Sequence, residues 1–99
     1  MEPVNAIAKA RFSSARPQRV NLLSDGAVSA ELLCLEKDQR MPVCGPSAIL
    51  YVVGGSGTLI RTDGQDSLPV GHVVSLDSQS TLANLGEQRL ICLLFRIAP

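Results

Sequence analysis

The chain has 99 residues, of which 45% are hydrophobic and 3% aromatic, and its nine basic and nine acidic residues leave no net charge. This length predicts one domain with a single aliphatic core, and the composition argues against disorder. Nucleic-acid binding is disfavoured, because the chain lacks both a basic excess and the aromatic side chains that stack on bases.

The first 18 residues are predicted to form an arm or a short helix. Residues 4–10 have modest helical character, and Pro3 suits a first-turn position. Residues 13–17 contain two serines and a proline, which end any regular pattern. We therefore divide the chain into an N-terminal arm (1–18) and a β domain (19–99).

Short apolar runs separated by turn signals then follow one another to the end of the chain. They predict strands over residues 19–23, 27–36, 48–53, 57–62, 65–68, 72–76, 81–84 and 89–97. The glycine turn at 54–57 is expected to join the strands on either side of it as a hairpin. Residues 41–47 contain two prolines, which predict a loop or an edge strand. This density of strands is typical of a β-sandwich or a small barrel.

The predicted strand 27–36 is apolar on both faces in its second half. One face carries Leu32 and Cys34, and the other carries Leu33 and Leu35. A strand of this kind predicts cover on both sides, so we expect the face with Leu33 and Leu35 to be covered by the N-terminal segment or by a second subunit. This pattern contributes to the expectation of a homodimer.

The cysteine pattern indicates the compartment. Cys34, Cys44 and Cys92 are odd in number and form no C-x-x-C pair, and no signal peptide precedes them. Free thiols in a reducing, cytoplasmic environment are expected. No apolar run approaches the ~20 residues that span a bilayer, so no membrane partner is expected.

Three segments in order resemble a known family. Residues 51–59 (YVVGGSGTL) are similar to a Y-V-L-x-G-x-G hairpin, residues 68–74 (LPVGHVV) to an L-x-x-G-D-x-V step, and residues 84–86 (NLG) to an N-x-G turn. On these motifs residues 20–99 resemble a small single-domain cupin of the RmlC-like type. The resemblance implies an all-β jelly-roll barrel, also called a double-stranded β-helix.

The same resemblance implies where a metal site would lie. Counting back from Gly55 places the family's glutamate on Ala48 and its first two histidines on Cys44 and Pro42. The third histidine falls on Leu82 or on Ser80, depending on the direction of the count, which predicts a shortened loop at 77–79. Since one thiol is a poor donor set for a transition metal, no metal and no other cofactor is expected.

A mostly apolar pocket would then replace the metal site. If Ala48 faces inward, Leu50 does so as well. The candidate ligand-binding residues are Pro42, Cys44, Ala48, Leu50, Ser80 and Leu82. The alternative is a barrel that its own side chains fill completely. For Cys44 a nucleophilic role, a ligand contact and simple packing all stay open.

These observations predict a metal-free cupin that binds a small molecule or serves as a non-enzymatic module, as a homodimer. The alternative is a metal-independent isomerase or lyase acting on a sugar-like or carboxylic small molecule. Such enzymes use a histidine with an acidic or phenolic partner. No pair of this kind is evident in the sequence, so the catalytic residues stay unassigned.

Overall fold

The computed structural model describes residues 2–45, 47–76 and 78–97. Within them it has one 3-10 turn, Ile7–Lys9, followed by strands only. The strands are β1 (Gln18–Asp25), β2 (Val28–Leu35), β3 (Arg40–Val43), β4 (Ala48–Gly54), β5 (Gly57–Arg61), β6 (Gly64–Leu68), β7 (Val73–Leu76), β8 (Ser80–Ala83) and β9 (Leu90–Ile97). The predicted all-β fold with an N-terminal arm is confirmed. Asp77, in the predicted loop at 77–79, lies outside the described residues.

The strands form two antiparallel sheets that share one core. A five-stranded sheet has the order β1-β2-β9-β4-β7, and a four-stranded sheet has the order β3-β8-β5-β6. Both sheets contribute to one buried cluster, which is mainly leucine: Leu33, Leu35, Met41, Val43, Ala48, Leu50, Val52, Leu59, Leu68, Leu76, Leu82, Leu90, Cys92 and Leu94. The expected aliphatic core is thus formed between the two inner faces.

The predicted hairpin across the glycine turn is wrong. Strand β4 pairs with β7 and β9, whereas β5 pairs with β6 and β8, so the turn carries the chain from one sheet to the other. Gly55 has φ +75°, and a Cβ there would lie 2.3 Å from the carbonyl oxygen of Arg89. This turn therefore needs glycine both for its conformation and for the close passage of the backbone before β9.

The two faces of β2 are the reverse of the expected arrangement. Leu33 and Leu35 belong to the core and lie opposite Cys92 and Leu90 of β9. Leu32 points to the outer face of the five-stranded sheet, yet it is fully buried. The second half of β2 is buried on both faces, as predicted. The face that needs an outer cover, however, is the one with Leu32 and not the one with Leu33 and Leu35.

The N-terminal arm supplies part of that cover. The backbone N–H of Arg11 donates a hydrogen bond to the thiol of Cys34. Cys34 is also fully buried on the outer face. The side-chain Nε2 of Gln39 donates to the carbonyl oxygen of Ser13 at 2.6 Å. The arm therefore lies across the end of the sheet near Cys34, held by a side chain from the turn between β2 and β3.

No helix among the described residues is long and apolar enough to cross a membrane.

Candidate functional site

Four of the six predicted site residues lie inside the molecule. Ala48 and Leu50 are buried on β4, and Ser80 and Leu82 are buried on β8. Strand β4 belongs to the five-stranded sheet and β8 to the other, so the core lies between the two pairs.

Pro42 and Cys44 lie elsewhere. Pro42 is exposed on β3, and Cys44 is exposed just after that strand. The inward residues of β3 are Met41 and Val43, which lie opposite Leu82 and Ser80. The expectation that Pro42 and Cys44 face the pocket is therefore corrected, whereas ligand binding at the predicted residues stays a prediction.

A shift of one residue in the placement of the cupin motif on β3 explains why Pro42 and Cys44 were expected to face the pocket. Side chains of a strand alternate between the two faces, so a motif count that is one residue off exchanges inside and outside. The prolines at the ends of this segment hide the alternation, because they predict a loop as readily as a strand. The pairing of β3 with β8 decides the orientation, and sequence spacing does not contain that information.

The interior offers few groups for chemistry. Among the residues that the structure describes, no three His, Cys, Asp or Glu side chains come together as a metal site. The buried polar residues in that part of the chain are Ser80 and Asn84. The Nδ2 of Asn84 donates to the carbonyl oxygens of Leu35 and Gln88 at 3.0 and 2.8 Å. Asn84 therefore has a structural role, because these bonds stabilise the backbone around it.

The two buried cysteines are poor nucleophiles. Burial raises the pKa of the Cys92 thiol to about 12. Burial also raises the pKa of Cys34, and the hydrogen bond and positive charge of Arg11 offset only part of that effect. Thiols held in the protonated form do not attack electrophiles or bind metals readily.

The remaining candidates for acid–base chemistry lie on the surface. His72 is exposed in the turn before β7, where its backbone N–H donates to the carbonyl oxygen of Pro69. Tyr51 is exposed and points away from the inward-facing Leu50 and Val52. Neither side chain faces the interior with a partner, so no proton-transfer pair forms there.

An ionic cluster that the sequence analysis missed holds the segment around Pro42 and Cys44. Arg19 Nη2 donates to the carbonyl oxygen of Pro42 at 2.9 Å, and Arg96 Nη1 donates to that of Cys44 at 2.9 Å. Glu31 lies between the two guanidinium groups, 3.4 Å from Arg19 and 3.9 Å from Arg96. Three strands contribute these residues, so no local motif could have indicated the cluster.

Two surface clefts are lined by residues that the structure describes. One, of about 280 Å³, is mostly apolar and is lined by Ser47, Ala48, Ile49, Ser75, Phe95 and Ile97. The other, of about 430 Å³, is polar and is lined by Arg61, Thr62, Asp63, Ser75 and Ser78. Ala48 is the predicted site residue that lines one of them.

The comparisons with known proteins agree with the geometry at the level of the fold. Neither a family profile nor a curated protein sequence matches the chain. Among solved structures, a Thermus thermophilus protein matches with a TM-score of 0.85 at 12% identity, over 100% of both chains. An RmlC-like cupin protein from Desulfovibrio desulfuricans matches with a TM-score of 0.78 at 14% identity, over 97% of this chain and 96% of that one.

A further cupin superfamily protein, from Desulfitobacterium hafniense, matches with a TM-score of 0.79 at 14% identity, covering 99% of this chain and 92% of its own. The chain therefore has the cupin fold, the RmlC-like double-stranded β-helix that the sequence motifs predict. Sequence identities of 12–14% support a conclusion about the fold and none about function.

Proposed function

We propose that this chain is a cupin-fold module that works without a bound metal and without catalysing a reaction. The observation that carries the proposal is the set of side chains on the inner face of β3, β4 and β8. These are Met41, Val43, Ala48, Leu50, Val52, Ser80 and Leu82. One hydroxyl among six apolar side chains supplies no metal ligand set and no acid–base pair.

Packing supports the same proposal. The aliphatic cluster between the sheets is closed to solvent, with Leu50, Leu59 and Leu82 fully buried. Side chains that fill an interior stabilise a fold but leave no room for a substrate. The proposed role of the domain is thus that of a scaffold whose activity lies on its surface.

Metal analysis tests this proposal. Purified protein is dialysed, analysed for transition metals, and titrated by calorimetry with Zn²⁺, Mn²⁺ and Fe²⁺. We expect less than a stoichiometric amount of bound ion for the wild type. Cys44→Ala is the matched control, because Cys44 is an exposed thiol that could bind Zn²⁺ at the surface. One ion per chain, retained by both proteins after dialysis, would contradict the proposal.

A second candidate function is the binding of a small polar molecule in the cleft beside β5. Its volume of about 430 Å³ lies within the range of ligand pockets, roughly 300–1,000 Å³. The guanidinium group of Arg61 pairs with Asp66 and lies 3.8 Å from Asp63, so two carboxylates offset its single positive charge. A neutral polar ligand fits such a cleft better than an anion.

Fragment screening by two-dimensional NMR tests this candidate. We expect polar fragments to shift the amide signals of Thr62 and Ser75, and Thr62→Val to weaken their binding. Leu82→Ala serves as the control, because it alters the interior and leaves the cleft unchanged. Shifts confined to Ser80 and Leu82 would instead place the ligand at the predicted interior site, and the absence of any shift would contradict ligand binding.

A further inference from the structure

Strand β3 is an edge of the four-stranded sheet, and among the described residues it pairs with β8 alone. The other side of β3 is therefore free of a neighbouring strand. A free strand edge presents backbone N–H and C=O groups, to which the edge of another chain can pair. What contacts these groups decides whether a further strand can be added to the sheet.

Pro42 shows which backbone groups of β3 lie on the free side. It lies opposite Thr81 of β8 but has no N–H to donate to that strand. Its carbonyl oxygen accepts a hydrogen bond from Arg19 instead. In an antiparallel strand the backbone groups of alternate residues point to the same side. The backbone groups of Arg40 and Cys44 therefore belong to the free side as well.

Two arginines of the facing sheet occupy this free side. Arg19 Nη2 donates to the carbonyl oxygen of Pro42 at 2.9 Å. Arg96 Nη1 donates to the carbonyl oxygen of Cys44, also at 2.9 Å. Glu31 lies 3.4 Å from Arg19 and 3.9 Å from Arg96. This ionic cluster of Arg19, Glu31 and Arg96 thus takes the place of the hydrogen-bond donors that a further strand would supply.

The ionic cluster projects from the inner side of the five-stranded sheet. Directly opposite residues of neighbouring strands share a face, and the cross-strand neighbours of the cluster all belong to the core: Leu33, Leu94 and Ala48. Its side chains are only 24–40% exposed. Charges in such a position are costly unless they are paired. The cluster meets this requirement by pairing its charges with each other and with the β3 carbonyl groups.

The charges of the ionic cluster also oppose the approach of a second copy. The cluster has two positive charges and one negative charge, and the β3 edge of another chain would bring the same three. Two-fold pairing of identical edges would place these like charges near one another. Both the occupied carbonyl groups and the net positive charge therefore keep the edge closed.

We propose that the ionic cluster is an autoinhibitory contact, which closes the free side of β3 to strand addition. Once the cluster is removed, β3 becomes a pairing site for β3 of a second copy. This property of the edge is independent of what the interior or the polar cleft binds, because neither is lined by the cluster.

A triple variant tests the proposal. Arg19→Met, Glu31→Gln and Arg96→Met remove the three charges and retain most of the length of each side chain. Light scattering after gel filtration measures the mass, under reducing conditions that keep the exposed Cys44 from forming disulfides. At equal concentration we expect the variant to have about twice the mass of the wild type or more, and the excess to grow with concentration.

Arg16→Met, Lys37→Met and Glu87→Gln together form the matched control. Lys37 pairs with Glu87 at 3.0 Å, and Arg16 is exposed before β1. The control therefore changes the net charge by the same amount and leaves the ionic cluster intact. It should have the mass of the wild type. A triple variant that is folded by circular dichroism but keeps the wild-type mass would overturn the proposal, as would equal association of the control.

NMR of the wild type gives a second measurement, which does not depend on the folding of any variant. With ¹⁵N-labelled arginine, the guanidinium protons of Arg19 and Arg96 should exchange with water about tenfold more slowly than those of Arg16. Equal exchange of all three groups would show that the cluster does not hold the β3 edge, and would overturn the proposal even if the triple variant fails to fold.

Discussion

Asn84 is the polar residue on which the β8–β9 connection depends. It is fully buried, and its Nδ2 donates to the carbonyl oxygens of Leu35 and Gln88. Its Oδ1 accepts a hydrogen bond from the backbone N–H of Gly86 at 3.1 Å. One side chain thus joins the end of β2 to both sides of the turn that leads into β9.

Replacing Asn84 should destabilise the protein strongly. Asn84→Ala leaves one buried and one partly buried carbonyl oxygen and one N–H without these partners, which should lower the free energy of unfolding by about 2–4 kcal/mol. Urea denaturation measures the change. Asn21→Ala, at an exposed position of β1, is the control and should change stability by less than about 0.5 kcal/mol. Equal effects of the two substitutions would contradict the role of Asn84.

Cys92 should make the stability depend on alkaline pH. Its folded-state pKa is raised from 9.0 to about 12, because burial disfavours the thiolate. The unfolded state therefore loses this proton first. The stabilising effect of the protonated thiol is fully present below pH 9 and is lost as the pH rises from about 9 to about 12, by up to about 1.4 kcal/mol per pH unit.

Urea denaturation at several pH values between 8 and 11 measures this dependence. Cys92→Ala should lower stability at every pH because it leaves a cavity, but its stability should fall less steeply above pH 9. Cys44→Ala removes an exposed thiol and should retain the wild-type slope. A Cys92→Ala variant with the wild-type slope would show that other groups cause the alkaline loss.

At the scale of elements, the sequence predicts the strands better than it predicts their partners. Strands β4, β5 and β9 follow from apolar runs bounded by glycine turns, and the predicted bounds of each differ by one residue at one end. The glycine turn looks the same whether it joins two strands of one sheet or connects two sheets. Only long-range pairing with β9 and β8 separates β4 from β5.

The orientation of short strands is the other quantity that the sequence leaves open. In β2 and β3, apolar residues or prolines occupy both faces, so alternation does not identify the inner one. The same ambiguity affected the choice of candidate site residues. Its residues on β4 and β8 lie inside, whereas those counted onto β3 and the following loop lie outside.

The N-terminal arm should open when its attachment to the β2–β3 turn is removed. Gln39 accepts a hydrogen bond from the N–H of Glu36 at 2.8 Å and donates to the carbonyl oxygen of Ser13. In Gln39→Ala the arm loses this contact, so Cys34 beneath it should react faster with a thiol reagent. Mass spectrometry of the modified protein measures the rate.

A Cys44→Ala background removes the exposed thiol that would otherwise react first. Gln88→Ala is a suitable comparison, because Gln88 is exposed at the same end of the molecule and should leave the Cys34 rate unchanged. An unchanged rate in Gln39→Ala would mean that the arm does not limit access to Cys34.

At the scale of the whole molecule, the last strand is also the most central one. Strand β9 pairs with β2 over eight residues and with β4 on its other side. It contributes Leu90, Cys92 and Leu94 to the core. The five-stranded sheet therefore has no continuous hydrogen-bonded centre until the C-terminal strand is in place.

Truncation before Leu90 should consequently abolish folding. Removing residues 90–99 leaves β2 and β4 with free edges and deletes three core side chains, a loss that exceeds the total stability of a typical small domain. Circular dichroism and NMR should show an unfolded chain. Removing residues 2–6, which contribute no core residue, should leave the fold intact. A cooperatively unfolding truncated chain would contradict the central role of β9.

This position of β9 has a consequence during protein synthesis. When residue 97 has just been added, β9 is still inside the ribosome, while β1 and β2 at the start of the β domain have already emerged. Their edges stay unpaired until β9 is available, and nascent chains with unpaired strand edges are prone to aggregation. The nascent chain is therefore expected to depend on chaperone protection until β9 has emerged, after which the sheet can close in one step.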